Sequence, residues 1–474
     1  MEKSLTKNAV FNVLYKALSV LFPLITISYA SHILGPDGIG LVSSAQNFVT
    51  YFIMFSSLGI PAYGVRAIAR LKDNKIDCNK TFTELFLINV ISTLLCTIIY
   101  YFIINTNNNV IINYKISTLF GSLVIFNIFN IDWLYQGFEE YKFIAIRSFG
   151  IKVISLFLLI LFVKKSDDIF YYALILCLGS VGNYILNIIQ LNKFIHFDFN
   201  NINIKQHLKP IFIFFFTVIA IELYSLIDIT MLTRLKSLDN VGYYSNASKI
   251  VKTLASTITA IGAVLMPRLS YYYYSDRHED MEKIINKTFK VILLISIPAC
   301  VGLIFTSKLI VNIMFGIEFM PTAKTICLLS PLIIFIPISA GIGSQILQTT
   351  NNEKKSLICV VIGSICNLIL NFILIPIYSE NGAAIASVIT EVMVTIMMLV
   401  YSRRIIRAKI QINFITSIIL SVIVMSISIF TFINSSLFKS TSINCLISII
   451  LGSIIYFSML FITKNEILLE FIKK

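Results

Sequence analysis

Long runs without a charged residue dominate the pattern of this chain. Each run exceeds the roughly 20 apolar residues that a helix needs to cross a bilayer. In hydrocarbon only helices and closed barrels satisfy their backbone groups, and barrel strands alternate apolar and polar residues over about ten positions. These runs do not alternate, so the pattern predicts an all-α integral membrane protein. The runs are 38–65, 85–114, 169–192, 325–352, 356–379, 411–438 and 440–463.

The apolar pattern as a whole predicts about fourteen membrane-spanning helices. The connections between them are short, so they leave no room for a soluble domain of ordinary size. The predicted spans lie near residues 9–33, 38–62, 82–104, 113–136, 142–163, 168–192, 209–233, 242–266, 287–312, 322–348, 355–377, 381–402, 411–433 and 442–462.

Composition and charge agree with a chain that lies largely in lipid. Hydrophobic residues make up 57% and charged residues 13%, whereas soluble domains carry about 25% charged residues. Basic residues concentrate in every second connection, which is typical of cytoplasmic loops and predicts an even number of spans with both termini cytoplasmic. This distribution accounts for most of the formal net charge of +14, so we expect no nucleic acid partner.

A short motif occurs twice and indicates an internal repeat. The pattern G-x-x-S-x-A begins at Gly40 and again at Gly242, six predicted spans apart. Because six is even, the two halves have the same orientation, which is a parallel repeat about an axis along the membrane normal. We therefore predict a six-helix lobe over 1–195, a second over 196–408, and an extra two-helix hairpin over 409–474.

Polar residues form stripes on spans that this repeat relates to each other. Spacings of three and four residues place each set on one helical face. Four such stripes favour a water-filled cavity between the lobes. They are Asn8, Asn12, Lys16 and Ser19 in span 1; Ser43, Asn47, Thr50 and Ser57 in span 2; Thr217, Tyr224 and Asp228 in span 7; and Ser245, Lys249, Lys252, Ser256 and Thr259 in span 8.

The charged members of these stripes allow three interpretations. Lys16, Lys249 and Lys252 could form a basic cavity for an anionic substrate, or they could neutralise Asp228 and Glu222 in a buried network. Three lysines against two carboxylates favour the basic cavity, since like charges three residues apart repel when buried dry. Asp228 is also a candidate site for H⁺ or Na⁺ coupling, with Glu222 either beside it in that role or a helix-packing residue.

Other ionisable groups in the spans stay open at this stage. Arg147 and Lys152 are interpreted as lying near the cytoplasmic end of span 5, where they could snorkel. Asp132 and Glu391 either pair with them or line the cavity. The cysteines and histidines lack metal-ligand spacing, so no metal and no cofactor is expected beyond a coupling ion.

Several motifs, in this order and spacing, resemble the Wzx-type polysaccharide repeat-unit flippases of the multidrug/oligosaccharidyl-lipid/polysaccharide exporter superfamily. The resemblance covers most of the first twelve spans. The motifs are P-L-I-T at 23–26, L-G-P-D-G-I-G at 34–40, L-G-I-P-A-Y-G-V-R-A-I-A-R at 58–70, M-P-R-L at 266–269, Asn367 and Asn371 followed by I-P at 375–376, and G-A-A-I-A at 382–386 followed by Glu391.

This resemblance implies a flippase for undecaprenyl-diphosphate-linked oligosaccharide in a bacterial cytoplasmic (inner) membrane, serving O-antigen, lipopolysaccharide or capsule synthesis. It implies a cationic lumen, here Lys16, Lys249 and Lys252 with Asn12 and Asn47 on the same stripes. Arg66 and Arg70 would guard the cytoplasmic mouth. A glycan polymerase and a chain-length protein are the membrane partners it implies.

Two other classes remain as alternatives. A drug or cation antiporter of the same superfamily needs an acidic cavity. Asp228 and Glu222 are the candidate residues for such a cavity, whereas the lysines argue against this class. A membrane glycan polymerase or ligase would be an enzyme, and we expect that class to carry a large outer loop with catalytic Arg or His. The longest predicted loops here, near 63–81, 193–208 and 268–286, face inward.

Overall fold

The computed structural model describes residues 5–106, 113–263, 266–403, 411–435 and 440–472, and it describes side chains from Phe22 onward except at 217, 221, 224, 263, 266, 267, 471 and 472. Regular structure in these ranges is helical throughout. The α-helices are α1 (Leu5–Ser57), α2 (Ile60–Leu71), α3 (Lys75–Thr106), α4 (Tyr114–Phe126), α5 (Asp132–Gly137), α6 (Tyr141–Phe162), α7 (Ile169–Ile189), α8 (Lys205–Leu235), α9 (Leu238–Ala263), α10 (Met266–Tyr274), α11 (His278–Met314), α12 (Pro321–Leu329), α13 (Leu332–Ile338), α14 (Ser344–Thr349), α15 (Glu353–Tyr378), α16 (Glu380–Arg403), α17 (Ile412–Asn434), α18 (Thr441–Ile462) and α19 (Glu466–Ile472).

The membrane-spanning helices confirm the predicted fold class but not the predicted count. In the described ranges, eleven helical segments are long and apolar enough to cross a membrane. A twelfth is present if Lys205–Ala220 and Ser225–Leu235, bent by 52°, form one span. The chain is therefore an all-helical, multi-pass membrane protein, and the number fourteen stays a prediction.

Two helices account for the lower number. The first two predicted spans lie in α1, which consists of two helices that join at a kink at Gly35 (φ 67°, ψ 179°) and therefore counts as one segment. This break lies in the predicted outer turn, and a positive φ is a conformation that glycine adopts without a Cβ clash. The eighth predicted span corresponds to α9, in which Lys249, Lys252 and a row of Ser, Thr and Asn side chains lower the hydropathy.

The repeated glycines lie at a reciprocal contact between α1 and the start of α9. A Cβ added to Gly40 would lie 1.9 Å from the carbonyl oxygen of Leu238, and one added to Gly242 would lie 2.3 Å from that of Pro36. Each copy of the motif thus packs against the residues just before the other copy. Both glycines of the repeated motif therefore lie at backbone-to-backbone contacts that a Cβ would block, and the repeat of the two lobes stays a prediction.

The chain divides into two compact units, with the short segment 234–242 shared between them. Unit 1 comprises Met1–Thr233 and Ser237–Gly242, and unit 2 comprises Arg234–Lys236 and Tyr243–Lys474. The core of unit 1 gathers around the only tryptophan of the chain, Trp133, with Phe82, Leu85 and Tyr135. The predicted boundaries at 195 and 408 are not tested by this division and stay predictions.

The last two long helices belong to unit 2, where they pack against α11. Apolar side chains of α17 and α18 form one cluster with Leu294, and the buried hydroxyl of Tyr456 donates to the Leu294 carbonyl at 2.7 Å. The short helix α19 adds an ion pair between Glu466 and Lys290 of α11 at 2.5 Å. The α17–α18 hairpin is thus fixed to α11 by the Tyr456 hydrogen bond, and the adjoining α19 is fixed to α11 by the Glu466–Lys290 ion pair.

The close approach at Gly40 gives a stability prediction. We expect Gly40→Ala to lower the free energy of unfolding by about 1–3 kcal/mol, the usual cost of forcing extra volume into a packed site. The matched control is Gly150→Ala, because a Cβ at Gly150 has open space around it and alanine favours helix. Thermal unfolding of the purified variants in detergent measures both. Equal midpoints for the two variants would contradict the contact.

Candidate functional site

The lysine stripe of α9 is half-buried along one face of the helix. Lys249 and Lys252 are partly accessible and Ser256 is exposed, whereas Val251 and Ala255 on the other side are 0% exposed. At 1.5 Å per residue, Lys249 lies about 16 Å from the first residue of this 26-residue helix. Both lysines therefore lie near the middle of α9, and their side chains are partly accessible.

Within unit 2, neither lysine has a carboxylate partner among the described residues. The ion pairs of this unit lie elsewhere, for example Lys287 with Glu470 and Lys290 with Glu466. A lysine at mid-membrane costs roughly 2.5–3.5 kcal/mol or more unless water or a partner group compensates it. The neutralising network would use Asp228 and Glu222, which belong to unit 1, so the anion-binding and the neutralising interpretations both stay predictions.

Asp228 and Asn47 lie along a polar seam between α1 and α8. Asp228 is 2% exposed and Asn47 is 5% exposed. The Asn47 side-chain amide donates to the Thr230 hydroxyl at 2.7 Å, and the Tyr51 hydroxyl lies 2.8 Å from the same oxygen. One turn along, Ser44 and Thr233 share a hydrogen bond of 2.8 Å. Asn47 thus already has a helix-packing role, and binding of substrate by it stays a prediction.

The remaining predicted residues are spread over the molecule. Glu222 is half-buried and lies in the break between the two bent parts of α8. Arg66 and Arg70 project from the exposed face of α2, opposite its buried stripe, and the Arg66 guanidinium lies 4.9 Å from the Phe214 ring centre. The side chains of Asn12 and Lys16 are outside the described residues. The predicted cavity draws on both units and therefore stays a prediction.

Arg147 does not snorkel, which corrects the interpretation from the sequence. It is 6% exposed, and its Nη2 lies 3.0 and 3.1 Å from the two carboxylate oxygens of Asp132. Asn187 completes the group, because its amide donates to Asp132 at 2.8 Å and its oxygen accepts from Arg147. Hydrogen bonds between a guanidinium and a carboxylate are charge-assisted and strong, and here one guanidinium nitrogen contacts both oxygens of Asp132 while the other donates to Asn187, which joins α5, α6 and α7.

Sequence reasoning missed a second buried group, around Glu84. This carboxylate is 0% exposed and accepts from the Asn203 backbone N–H at 2.6 Å, from Gln206 at 2.9 Å and from His207 Nε2 at 2.7 Å. The other ring nitrogen of His207 lies 2.8 Å from the Tyr63 hydroxyl. The group fastens the 194–204 connection to the start of α3. Two sequence features could have pointed to this group: an acidic residue immediately before an apolar run, and a histidine in a predicted inner loop.

The fold defines the class of protein. Two solved structures share it at low sequence identity: a lipid II flippase MurJ in an inward closed conformation, with a TM-score of 0.77, 18% identity, and coverage of 96% of this chain and 98% of that one; and an inward-facing multidrug resistance MATE family transporter, with a TM-score of 0.64, 13% identity, and coverage of 84% and 97%. The chain thus has the same fold as these two transporters.

The family follows from the sequence comparisons. The polysaccharide biosynthesis protein family model matches residues 5–273, and the lipid II flippase MurJ model matches 145–452. This chain belongs to the polysaccharide biosynthesis protein family, on the Wzx-type branch of the exporter superfamily. Its relatives are transporters and flippases, so the polymerase or ligase alternative is set aside.

Two relatives show how far the similarity extends. An Escherichia coli K12 protein named as an O-antigen transporter is 26% identical over 411 residues, which is 84% of this chain and 97% of the relative. The capsular polysaccharide biosynthesis protein CapF of Staphylococcus aureus is 23% identical over 379 residues, which is 78% of this chain and 92% of the relative. Both alignments span nearly the whole relative.

The Arg147 contact predicts a large effect of a single substitution. We expect Arg147→Met to lower the free energy of unfolding by about 3 kcal/mol, since it leaves the Asp132 carboxylate without its charged partner. The double variant Asp132→Asn/Arg147→Met should recover part of that loss. Lys142→Met, an exposed change on the same helix, is the matched control and should stay within about 0.5 kcal/mol. Urea or thermal unfolding that shows equal loss at both positions would contradict the pairing.

Proposed function

We propose that the protein is a lipid-linked glycan flippase that moves undecaprenyl-diphosphate-linked oligosaccharide repeat units from the cytoplasmic to the outer leaflet of a bacterial inner membrane. The family assignment supports this, as do the names of relatives in O-antigen and capsule synthesis. The glycan made would be an O-antigen, a capsule or a similar surface polysaccharide. Both termini would lie in the cytoplasm.

The observation that carries the proposal is the Lys249–Lys252 pair at the middle of α9. A diphosphate cannot enter hydrocarbon without losing its hydration, at a cost far above thermal energy. Two ammonium groups on an open, polar helix face replace part of that hydration and balance the charge. The polyprenyl chain is apolar and can stay in the bilayer while the head group crosses.

The other proposed residues extend this path in both directions. Lys16 and Asn12 of α1 would face the same lumen, with Asn47 beside it. Arg66 and Arg70, exposed on α2, would attract the anionic head group at the cytoplasmic mouth. The two lobes would then alternate between inward-open and outward-open states around the bound head group, as repeat-built transporters do.

An ion gradient is the proposed drive, with Asp228 and Glu222 as the groups that take up H⁺ or Na⁺. The burial of Asp228 and the position of Glu222 at the bend of α8 support these roles. A carboxylate inside the membrane is suited to bind and release a cation as the environment alternates. A glycan polymerase and a chain-length protein are the proposed membrane partners.

A drug or cation antiporter is the second candidate, and the buried Asp228 is the observation that favours it. A cationic substrate would need an uncompensated carboxylate in the lumen. The two lysines of α9 would repel such a substrate from the middle of the membrane. The anionic substrate therefore fits the described charges better.

The test is complementation in a strain that lacks its own repeat-unit flippase. We expect Lys249→Ala and Lys252→Ala each to lower surface polysaccharide, and the double variant to lower it by roughly ten- to a hundredfold, since a hydrogen bond to a charged group contributes about 1.5–3 kcal/mol. Lys→Arg at either position should restore part of the export, because the charge remains.

The matched control is Lys283→Ala, which removes a lysine whose side chain is 73% exposed. Membrane levels of every variant are measured by immunoblot. Normal export by the double alanine variant at wild-type level would overturn the proposal. The same strains, tested for efflux of cationic dyes, would then decide for or against the antiporter.

A further inference from the structure

Arg66 is a charged side chain whose hydrogen-bond donors are left open within unit 1. It is exposed on α2, and among the described residues it makes no ion pair and no hydrogen bond. Its guanidinium carbon lies 4.9 Å from the centre of the Phe214 ring on α8, which is within the range of a cation–π contact. A guanidinium can contact a ring by its flat face while its N–H groups stay available for an anion.

Phe214 also contacts Tyr63, which precedes Arg66 by three positions on α2. The centres of the Tyr63 and Phe214 rings are 6.2 Å apart. Residues three apart are neighbours on a helix surface, so Tyr63 and Arg66 reach the same ring from one side of α2. Phe214 is therefore the point at which α8 contacts both side chains.

The chain enters α2 through a tight turn that also lies against α8. Leu58 and Gly59 both have positive φ angles, 49° and 78°. A Cβ added to Gly59 would lie 2.6 Å from the backbone nitrogen of Phe215. The start of α2 is thus pressed against the backbone of α8, one residue after the ring that Arg66 contacts.

A chain of buried hydrogen bonds holds α2 at Tyr63. His207 Nε2 donates to the Glu84 carboxylate at 2.7 Å, which leaves Nδ1 of the neutral ring as an acceptor. The Tyr63 hydroxyl lies 2.8 Å from this nitrogen and donates to it. His207 is 5% exposed and Glu84 is 0% exposed, so loss of either contact would leave a buried group unsatisfied. One line of side chains therefore joins α2, α8 and α3.

We propose that three side chains position the Arg66 guanidinium for an anionic ligand. Tyr63 and His207 fix α2 against α8, and Phe214 supplies the ring that holds the guanidinium. The ligand that suits the open donors is a phosphate or diphosphate group, which can accept two parallel hydrogen bonds from one guanidinium. The role of this arrangement in transport rests on the proposed flippase function, in which Arg66 receives the diphosphate head group.

The first measurement is a double-mutant cycle on binding of farnesyl diphosphate to the full-length protein in phosphatidylcholine nanodiscs. We expect Arg66→Gln to weaken binding about tenfold and Tyr63→Phe to weaken it about two- to tenfold. In the double variant, Tyr63→Phe should add little, because the guanidinium that it positions is absent. An equal effect of Tyr63→Phe with and without Arg66 would mean a purely structural tyrosine and would overturn the proposal, as would binding that does not depend on Arg66.

Two substitutions of Phe214 test the aromatic contact in the same assay. Phe214→Leu removes the ring and should weaken binding about two- to fivefold, whereas Phe214→Tyr keeps the ring and should bind as the wild-type protein does. Tyr274→Phe is the matched control, because it removes a hydroxyl from a tyrosine that is 71% exposed, and it should change nothing. Wild-type affinity in Phe214→Leu would exclude the positioning role of the ring.

Phosphatidylglycerol in the nanodiscs separates the diphosphate from ordinary anionic lipid as the ligand. We expect the effect of Arg66→Gln on farnesyl diphosphate binding to persist when phosphatidylglycerol is added. Loss of that effect would assign the guanidinium to lipid head groups and would contradict a site for the diphosphate.

Hydrogen–deuterium exchange of the segment 60–71 tests the anchor without any ligand. We expect exchange to rise several-fold in Tyr63→Phe and in His207→Ala, and to stay at the wild-type level in Tyr274→Phe. Tyr63→Phe is the milder of the two variants, because it leaves the Glu84–His207 contact intact. Unchanged exchange in both variants would show that this contact does not hold α2, and would refute the proposal.

These outcomes separate the positioning role from the flippase function. If the wild-type chain fails to restore surface polysaccharide while the cycle and the exchange behave as expected, only the flippase function is wrong. If export is restored but Tyr63→Phe acts independently of Arg66, only the positioning role is wrong.

Discussion

The cost of placing charge in hydrocarbon governs the organisation of this molecule. Each ionisable side chain within the spans must be paired, hydrogen-bonded or wet, because an uncompensated charge there costs several kcal/mol. Unit 1 meets this requirement with closed groups, in which Arg147 holds Asp132 and Asn187, and Glu84 is enclosed by three donors. Such groups fix helices to one another, and they offer no free charge to a substrate.

The lysines of α9 meet the requirement differently. Their side chains stay partly accessible, and the described residues of their own unit supply no carboxylate to neutralise them. A stripe of this kind is stable within a membrane only if water, an anion or a carboxylate from outside unit 2 compensates its charge. This contrast between closed groups and a partly accessible stripe is the reason for proposing that α9, rather than Arg147 or Glu84, meets the diphosphate head group.

The structural features that the sequence predicted correctly are those that depend on local periodicity. Long apolar runs predicted the helices. The G-x-x-S-x-A motif identified two glycines that lie at close backbone contacts, whereas the repeat of two lobes stays a prediction. The sequence could not predict contacts between distant residues, such as His207 with Glu84, which are 123 positions apart. It also could not predict the π-turn at Ser339–Gly343, because the geometry of that turn depends on packing. Lys249 and Lys252 were found because spacing alone puts them on one face. For Arg147 the sequence left snorkelling and pairing with Asp132 both open, because the two residues lie on different helices, and the structure shows the pair.

The most direct measurement is transport by the purified protein in proteoliposomes that contain a polyprenyl-diphosphate oligosaccharide in both leaflets. An impermeant glycosidase cleaves the sugar in the outer leaflet, and the rate at which protected sugar becomes accessible reports movement across the membrane. We expect wild-type protein to raise this rate well above that of protein-free vesicles, and the Lys249→Ala/Lys252→Ala protein to raise it little. Equal rates for vesicles with and without the wild-type protein, under an imposed proton or sodium gradient, would contradict a flippase with a basic path through α9.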